Sequence, residues 1–156
     1  MKQLSSYLLI IIVIIVFLSC DRRKVFEAYR KIDDKGWNKD SVVTFNVHLT
    51  DTMKNHNLFV NIRNKGNYPY SNIYLFLSIV SPDGTNHTDT VEFTLADPSG
   101  KWRGRGIGGL HDNQVPYKNK VYFPRQGDYK FMIKQGMRDN VLLGIRDVGF
   151  RVETAY

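Results

Sequence analysis

The apolar positions of this chain fall into two regimes. Near the amino terminus Leu8 to Leu18 is an unbroken apolar run that follows a single Lys2; from Val43 onward apolar and polar residues alternate. Val43, Phe45, Val47 and Leu49 against Thr44, Asn46 and His48 give a period of two, the signature of a half-buried strand rather than a helix. Leu58 to Arg63 predicts a second strand. Ile73 to Val80 is apolar at both parities and predicts a central strand covered on each side. The Ser81-Pro82-Asp83-Gly84 turn leads into Val91, Phe93 and Leu95, so these two strands are expected to form a hairpin. Three more alternating runs lie at Val121–Phe123, Asp128–Ile133 and Val148–Glu153. Val25, Phe26, Tyr29 and Ile32 read as an extended entry, and only Met137–Leu143 has a helical reading. Seven or more short strands separated by regular turn signals predict an all-β fold, an antiparallel β-sandwich of jelly-roll or immunoglobulin-like type.

Between the strands two loops stand out. Asn64–Asn72 is dense in Gly, Asn and Pro and is expected to expose Tyr68 and Tyr70. Ala96–Tyr117 holds five of the twelve glycines together with Lys101, Trp102, Arg103 and Arg105. Guanidinium forks bind carboxylates, and indole offers a flat apolar face, so this segment is a candidate surface for an acidic protein or a sugar. The plainer alternative is a glycine-rich bend with Trp102 in the core. Gly104, Gly106 and Gly109 match the dinucleotide fingerprint, but Pro116 and strand-like residues follow where that motif requires a helix, which sets a nucleotide site aside.

The amino-terminal run is too short for a spanning helix and has the proportions of a secretory signal. It ends at Leu18-Ser19-Cys20, a bulky and then a small residue before the only cysteine in the chain. That is the bacterial lipobox, in which the thiol takes up diacylglyceryl and cleavage leaves Cys20 as the acylated first residue. Two or three acyl chains of the palmitate class hold a protein on a membrane where one would let go. The expected organisation is a lipoprotein signal peptide at 1–19, a lipidated terminus and tether at 20–36, and a single sandwich domain at 37–156. Removing the signal leaves 21 of the 22 basic side chains against 15 acidic, one charge less than the chain's +7. Outside the cytoplasm that charge suits an anionic membrane surface, an acidic glycan or an acidic protein patch; nucleic acid is excluded as a partner.

Catalysis requires a constellation that the sequence lacks. His48, His56, His87 and His111 are scattered, with no metal-ligand spacing, and no serine sits in a nucleophile elbow. With Cys20 acylated no thiol is left for a disulfide or for nucleophilic work. No cofactor, metal or catalytic residue is assigned, and the chain is read as a non-enzyme.

The lipobox together with Val25–Tyr29, Asn61–Asn64, Tyr68–Asn72, Leu95–Trp102 (L-A-D-P-S-G-K-W) and Gln135–Arg138 through Gly144–Gly149 resembles the GldH family of gliding-motility lipoproteins across nearly the whole chain. The resemblance implies an envelope lipoprotein, facing the periplasm, required for gliding in bacteria that run a type IX secretion system. It implies other gliding or secretion envelope proteins as partners and no catalytic residues. A lipid-anchored glycan-binding module is the alternative reading, and Asp21 leaves inner and outer membrane both open.

Overall fold

The computed structural model describes residues 21–155; the signal peptide expected at 1–19 and Cys20 lie outside them. The described chain forms ten strands: β1 (Lys24–Lys31), β2 (Trp37–Asn38), β3 (Val42–Leu49), β4 (Asn55–Lys65), β5 (Asn72–Val80), β6 (Asn86–Thr94), β7 (Leu110–Tyr122), β8 (Gly127–Gln135), β9 (Val141–Leu142) and β10 (Ile145–Thr154). Two four-stranded antiparallel sheets, ordered β1-β10-β4-β7 and β3-β8-β5-β6, face one another, and β2 pairs with β9 beside them. This is the all-β antiparallel sandwich expected from the alternation. Strand pairing begins at Lys24, within the stretch read as a tether.

The period-two pattern explains which face is buried. In β3, Phe45, Val47 and Leu49 are 1–2% exposed while Asn46 and His48 face solvent. Val60 and Ile62 of β4, Val148, Phe150 and Val152 of β10, and Phe131 and Ile133 of β8 complete the inner faces. Phe150 stacks on Phe131 at 4.4 Å across the two sheets, and Phe45 lies 6.2 Å from Phe150. Burying each such side chain stabilises the fold by about 1.5–3 kcal/mol.

Three expectations change. β5 is central in its sheet and forms the expected hairpin with β6, closed by Gly84 N–H donating to the Ser81 carbonyl at 2.9 Å. It is nevertheless covered on one face only. Ile73, Leu75 and Leu77 are buried, whereas Tyr74 and Phe76 are each 40% exposed, and Tyr74 Oη donates to Glu92 of β6 at 2.7 Å on the open face. The strand buried at both parities is β10, where Gly149, Arg151 and Glu153 are covered as well as the apolar residues. Met137–Leu143 is not helical. Gln135 accepts from Met137 N–H and donates to the Asp139 carbonyl, both at 2.8 Å, which closes a turn leading to β9. Finally, the second half of the glycine-rich segment is the long strand β7, which runs through Pro116. As an edge strand, β7 has backbone groups that need no second partner.

Eight principal strands alternate in direction, so their connections alternate between the two ends of the sandwich. Asp21–Arg23, residues 50–54, 81–85 and 123–126, and Ala155 lie at one end. Residues 32–41, 66–71, 95–109 and 136–144 lie at the other.

Candidate interaction surface

The two loops singled out by sequence meet at the end of the sandwich remote from Asp21. Tyr68 packs edge-on to Tyr70 at 5.9 Å and lies 6.2 Å from Trp102, which in turn sits 5.6 Å from His111. The expectation that Tyr68 is exposed is corrected: it is 4% exposed, its hydroxyl donates to the Asn72 carbonyl at 2.9 Å, and burial pushes its pKa up. Its ring is the support on which the neighbouring loop rests. Tyr70 is 36% exposed and donates to Asp139 at 2.8 Å; Trp102 is half-buried, packed against the core rather than within it.

The Ala96–Trp102 segment is a turn built by its own side chains. Asp97 Oδ1 accepts from Ser99 N–H at 2.9 Å, Ser99 Oγ at 2.6 Å and Lys101 N–H at 3.0 Å. The Ser99 hydroxyl, then the Lys101 N–H, holds the Asp97 carboxyl below the usual carboxylate range. Further on, Arg105 exchanges backbone hydrogen bonds of 3.0 and 2.8 Å with Asp112, which folds the loop back along β7. Gly106 is required there because a Cβ would collide with the Leu110 carbonyl. The result leaves Lys101, Arg103 and Arg105 exposed, with no carboxylate in ion-pair range among the described residues. Arg103 and Arg105 share the lining of a cleft of about 830 Å³ with Tyr29, Ile107, Asp112 and Gln114; Tyr70, Lys101 and Trp102 stand outside it.

The sequence reading missed the polar layer on the outer face of the β1-β10-β4-β7 sheet. Arg63 Nε donates to Asp112 at 2.8 Å while its guanidinium lies 3.9 Å above the Tyr29 ring. That ring crosses Gly149, where a Cβ would stand 2.9 Å from it. Burial, then the charge of Asp112, pushes the Tyr29 hydroxyl up to about 12. In a second cluster the Arg151 guanidinium binds Glu27 at 2.8 Å, Glu153 at 2.6 Å and Asp21, and Glu27 also accepts from Asn61 at 3.1 Å. Glu27, Asn61, Arg63, Asp112, Arg151 and Glu153 sit at outward strand positions, where polar side chains read as solvated. Apart from Arg151 and Glu153, which are two residues apart, their partners lie 34 to 130 residues away, out of reach of any local pattern.

Comparison with known proteins agrees along the whole chain. The family model described as GldH lipoprotein matches residues 24–152. The "Gliding motility lipoprotein GldH homolog" of Christiangramia forsetii is 40% identical and the "Gliding motility lipoprotein GldH" of Flavobacterium johnsoniae 39%. Each alignment covers 98% of this chain and 98% of the relative. Among solved structures, a carbohydrate-binding module specific for non-crystalline cellulose overlays with a TM-score of 0.45 at 8% identity. It covers 83% of this chain and 73% of that one. The family match and the two full-length relatives together show that the chain belongs to the GldH lipoprotein family.

Proposed function

We propose that this lipoprotein acts in gliding motility as a non-catalytic interaction component. It is held on the membrane by acylated Cys20, faces the periplasm, and meets another envelope protein of the gliding and type IX secretion apparatus. Lipoprotein membership makes it a membrane-anchored envelope protein, and its full-length relatives carry gliding motility in their names. The observation that supports the mode of action is positional. The arginine-lined cleft opens at the end of the sandwich opposite Asp21, the residue that follows the lipid-bearing cysteine. The cations of the polar layer, Arg63 and Arg151, are already engaged by carboxylates, whereas Arg103 and Arg105 have none among the described residues. A glycan platform needs several flat, open rings, and burial removes Tyr68 from that role while Trp102 is half-covered.

The test is the Arg103→Ala, Arg105→Ala double variant expressed in place of the native gene. Exposed arginines contribute under about 1 kcal/mol to folding, yet a desolvated arginine at an interface contributes about 2 kcal/mol or more to binding. Colony spreading is expected to fall while melting temperature and membrane level hold. Full spreading removes these arginines from the mechanism, and loss of stability together with spreading returns the loop to architecture.

A further inference from the structure

The amino-terminal end of the sandwich is a surface in its own right. Cys20 is peptide-bonded to Asp21, and the chain is tied down from Asp21 onward. The Asp21 carboxylate is held by Arg151, Lys24 N–H donates to the Asp21 carbonyl at 3.3 Å, and Thr154 N–H donates to the Arg23 carbonyl at 2.9 Å. The acylated residue therefore leaves the fold with no flexible spacer. Whatever lies at this end is brought to the level of the lipid headgroups.

What lies there has the composition of a headgroup contact. Cross-strand pairing sets Arg23 beside Thr154, Ala155 beside Asn55, and Asn55 beside Tyr122, a single row across the end of the sheet. With strands about 4.8 Å apart, the row is roughly 15 Å wide. Arg22 and Arg23 are exposed, with no carboxylate in ion-pair range among the described residues. The same end carries two exposed apolar groups, Met53 at 89% exposure in the 50–54 connection and Tyr122 at 57% at the far side of the row. The other cations of the adjoining loops, Lys54 and Arg125, are matched by Asp51 and Asp83 at 3.1 Å each. Arg22 and Arg23 next to the anchor, with exposed Lys120 near the end of β7, are thus the unmatched cations of this end among the described residues.

We infer that this end is a docking surface for anionic phospholipid. Arg22 and Arg23 meet the headgroup phosphates, Met53 and Tyr122 enter the interfacial layer, and the domain stands upright on the bilayer. A cation close to an anionic leaflet strengthens the contact by about fivefold, so neutralising both arginines is expected to weaken it roughly 25-fold. Tyr at an interface keeps its ring apolar and its hydroxyl wet. The inference rests on acylation at Cys20, and the experiment separates the two.

Full-length lipoprotein carrying Met53→Cys or Ile107→Cys offers one free thiol, since Cys20 is the only native cysteine and is acylated. Each variant is labelled with a fluorophore and reconstituted into phosphatidylcholine vesicles, with or without phosphatidylglycerol, that carry a headgroup nitroxide. Position 53 lies at the anchored end and position 107, 94% exposed, at the remote end. Expected are strong quenching at position 53 that deepens with phosphatidylglycerol, weak quenching at position 107, and loss of the difference in the Arg22→Gln, Arg23→Gln background. Equal quenching at the two positions overturns the docking surface, as does quenching at position 53 that ignores both phosphatidylglycerol and the arginines. Protein that does not float with vesicles overturns the acylation reading instead.

Discussion

Replacing Arg151 by Met tests whether the polar layer is structural. The guanidinium is 9% exposed and holds Glu27 at 2.8 Å and Glu153 at 2.6 Å, with Asp21 as third partner. The Asp21 side chain is 41% exposed, so solvent screens its share; the magnitude is set by Glu153, 9% exposed, and Glu27, 23% exposed. In an effective dielectric of about 20, like charges at about 5 Å repel by roughly 3 kcal/mol, which sets the scale for two carboxylates that lose the cation they share. Breaking a buried pair by removing one partner costs about 3–5 kcal/mol in general, so a loss of about 3 kcal/mol is expected. For a domain of this size that is a fall of roughly 10 °C in melting temperature. Urea unfolding followed by circular dichroism measures it. Adding Glu27→Gln and Glu153→Gln to Arg151→Met is expected to recover more than half of the loss, because the charges left uncompensated are removed. A single variant that loses under about 1 kcal/mol, or a triple variant less stable than the single one, would refute the reasoning.

On β5, Leu77→Ala is expected to cost about 2–5 kcal/mol because Leu77 is 2% exposed, whereas Phe76→Ala, 40% exposed, costs about 1 kcal/mol; denaturant midpoints with unchanged m-values give both. Tyr29 titrates upward, to about 12, so the stability it contributes is fully present below pH 10 and is lost as pH rises from 10 towards 12. Tyr29→Phe should lose less stability than the native chain over that interval, read from urea midpoints. Cys20→Ala is expected to abolish fatty-acid labelling, and undiminished labelling of that variant removes Cys20 as the attachment site.

Alternation exposed most of the fold, since a strand packed on one face repeats every two residues whatever its neighbours are. β3, β6 and β8 were legible for that reason. β5 misled because its outward aromatics, Tyr74 and Phe76, look like core in sequence; their cover is the cross-strand contact with β6 rather than a second layer. β7 was hidden by Pro116. Asp112 points its N–H and carbonyl away from β4 towards Arg105, and Pro116 has the same parity, so its missing donor faces the open edge and costs no ladder bond. In the candidate surface, position along the chain identified the Arg103 and Arg105 loop, but Tyr68 and Tyr70 are equivalent on paper. They part in the fold, where Gly144 approaches Tyr68 so closely that a Cβ there would stand 2.6 Å from its Cα and Trp102 lies against its ring. The Arg63 and Arg151 clusters join residues from β1, β4, β7 and β10 that become neighbours only once the register is set.

Strand direction separates the two cationic surfaces in a way that composition cannot. β10 runs ten residues from the end that carries the arginine-lined cleft to the end that carries Asp21, a length of about 34 Å at 3.4 Å per residue. Screening in salt of physiological strength acts over about 8 Å, so an anionic leaflet that attracts Arg22 and Arg23 exerts almost no field at Arg103 and Arg105. Arg22 with Arg23 and Arg103 with Arg105 are therefore two independent cationic pairs, about four screening lengths apart. Their consequences should add. Neutralising Arg22 and Arg23 changes how the domain stands on vesicles and leaves the chemistry of the cleft intact; removing Arg103 and Arg105 does the reverse. With all four replaced, the loss in vesicle contact should equal that of the first pair alone, as expected for sites more than 10 Å apart with no shared partners. A larger loss in vesicle contact would mean that the cleft also meets the bilayer, and the domain would then lie on its side rather than stand upright.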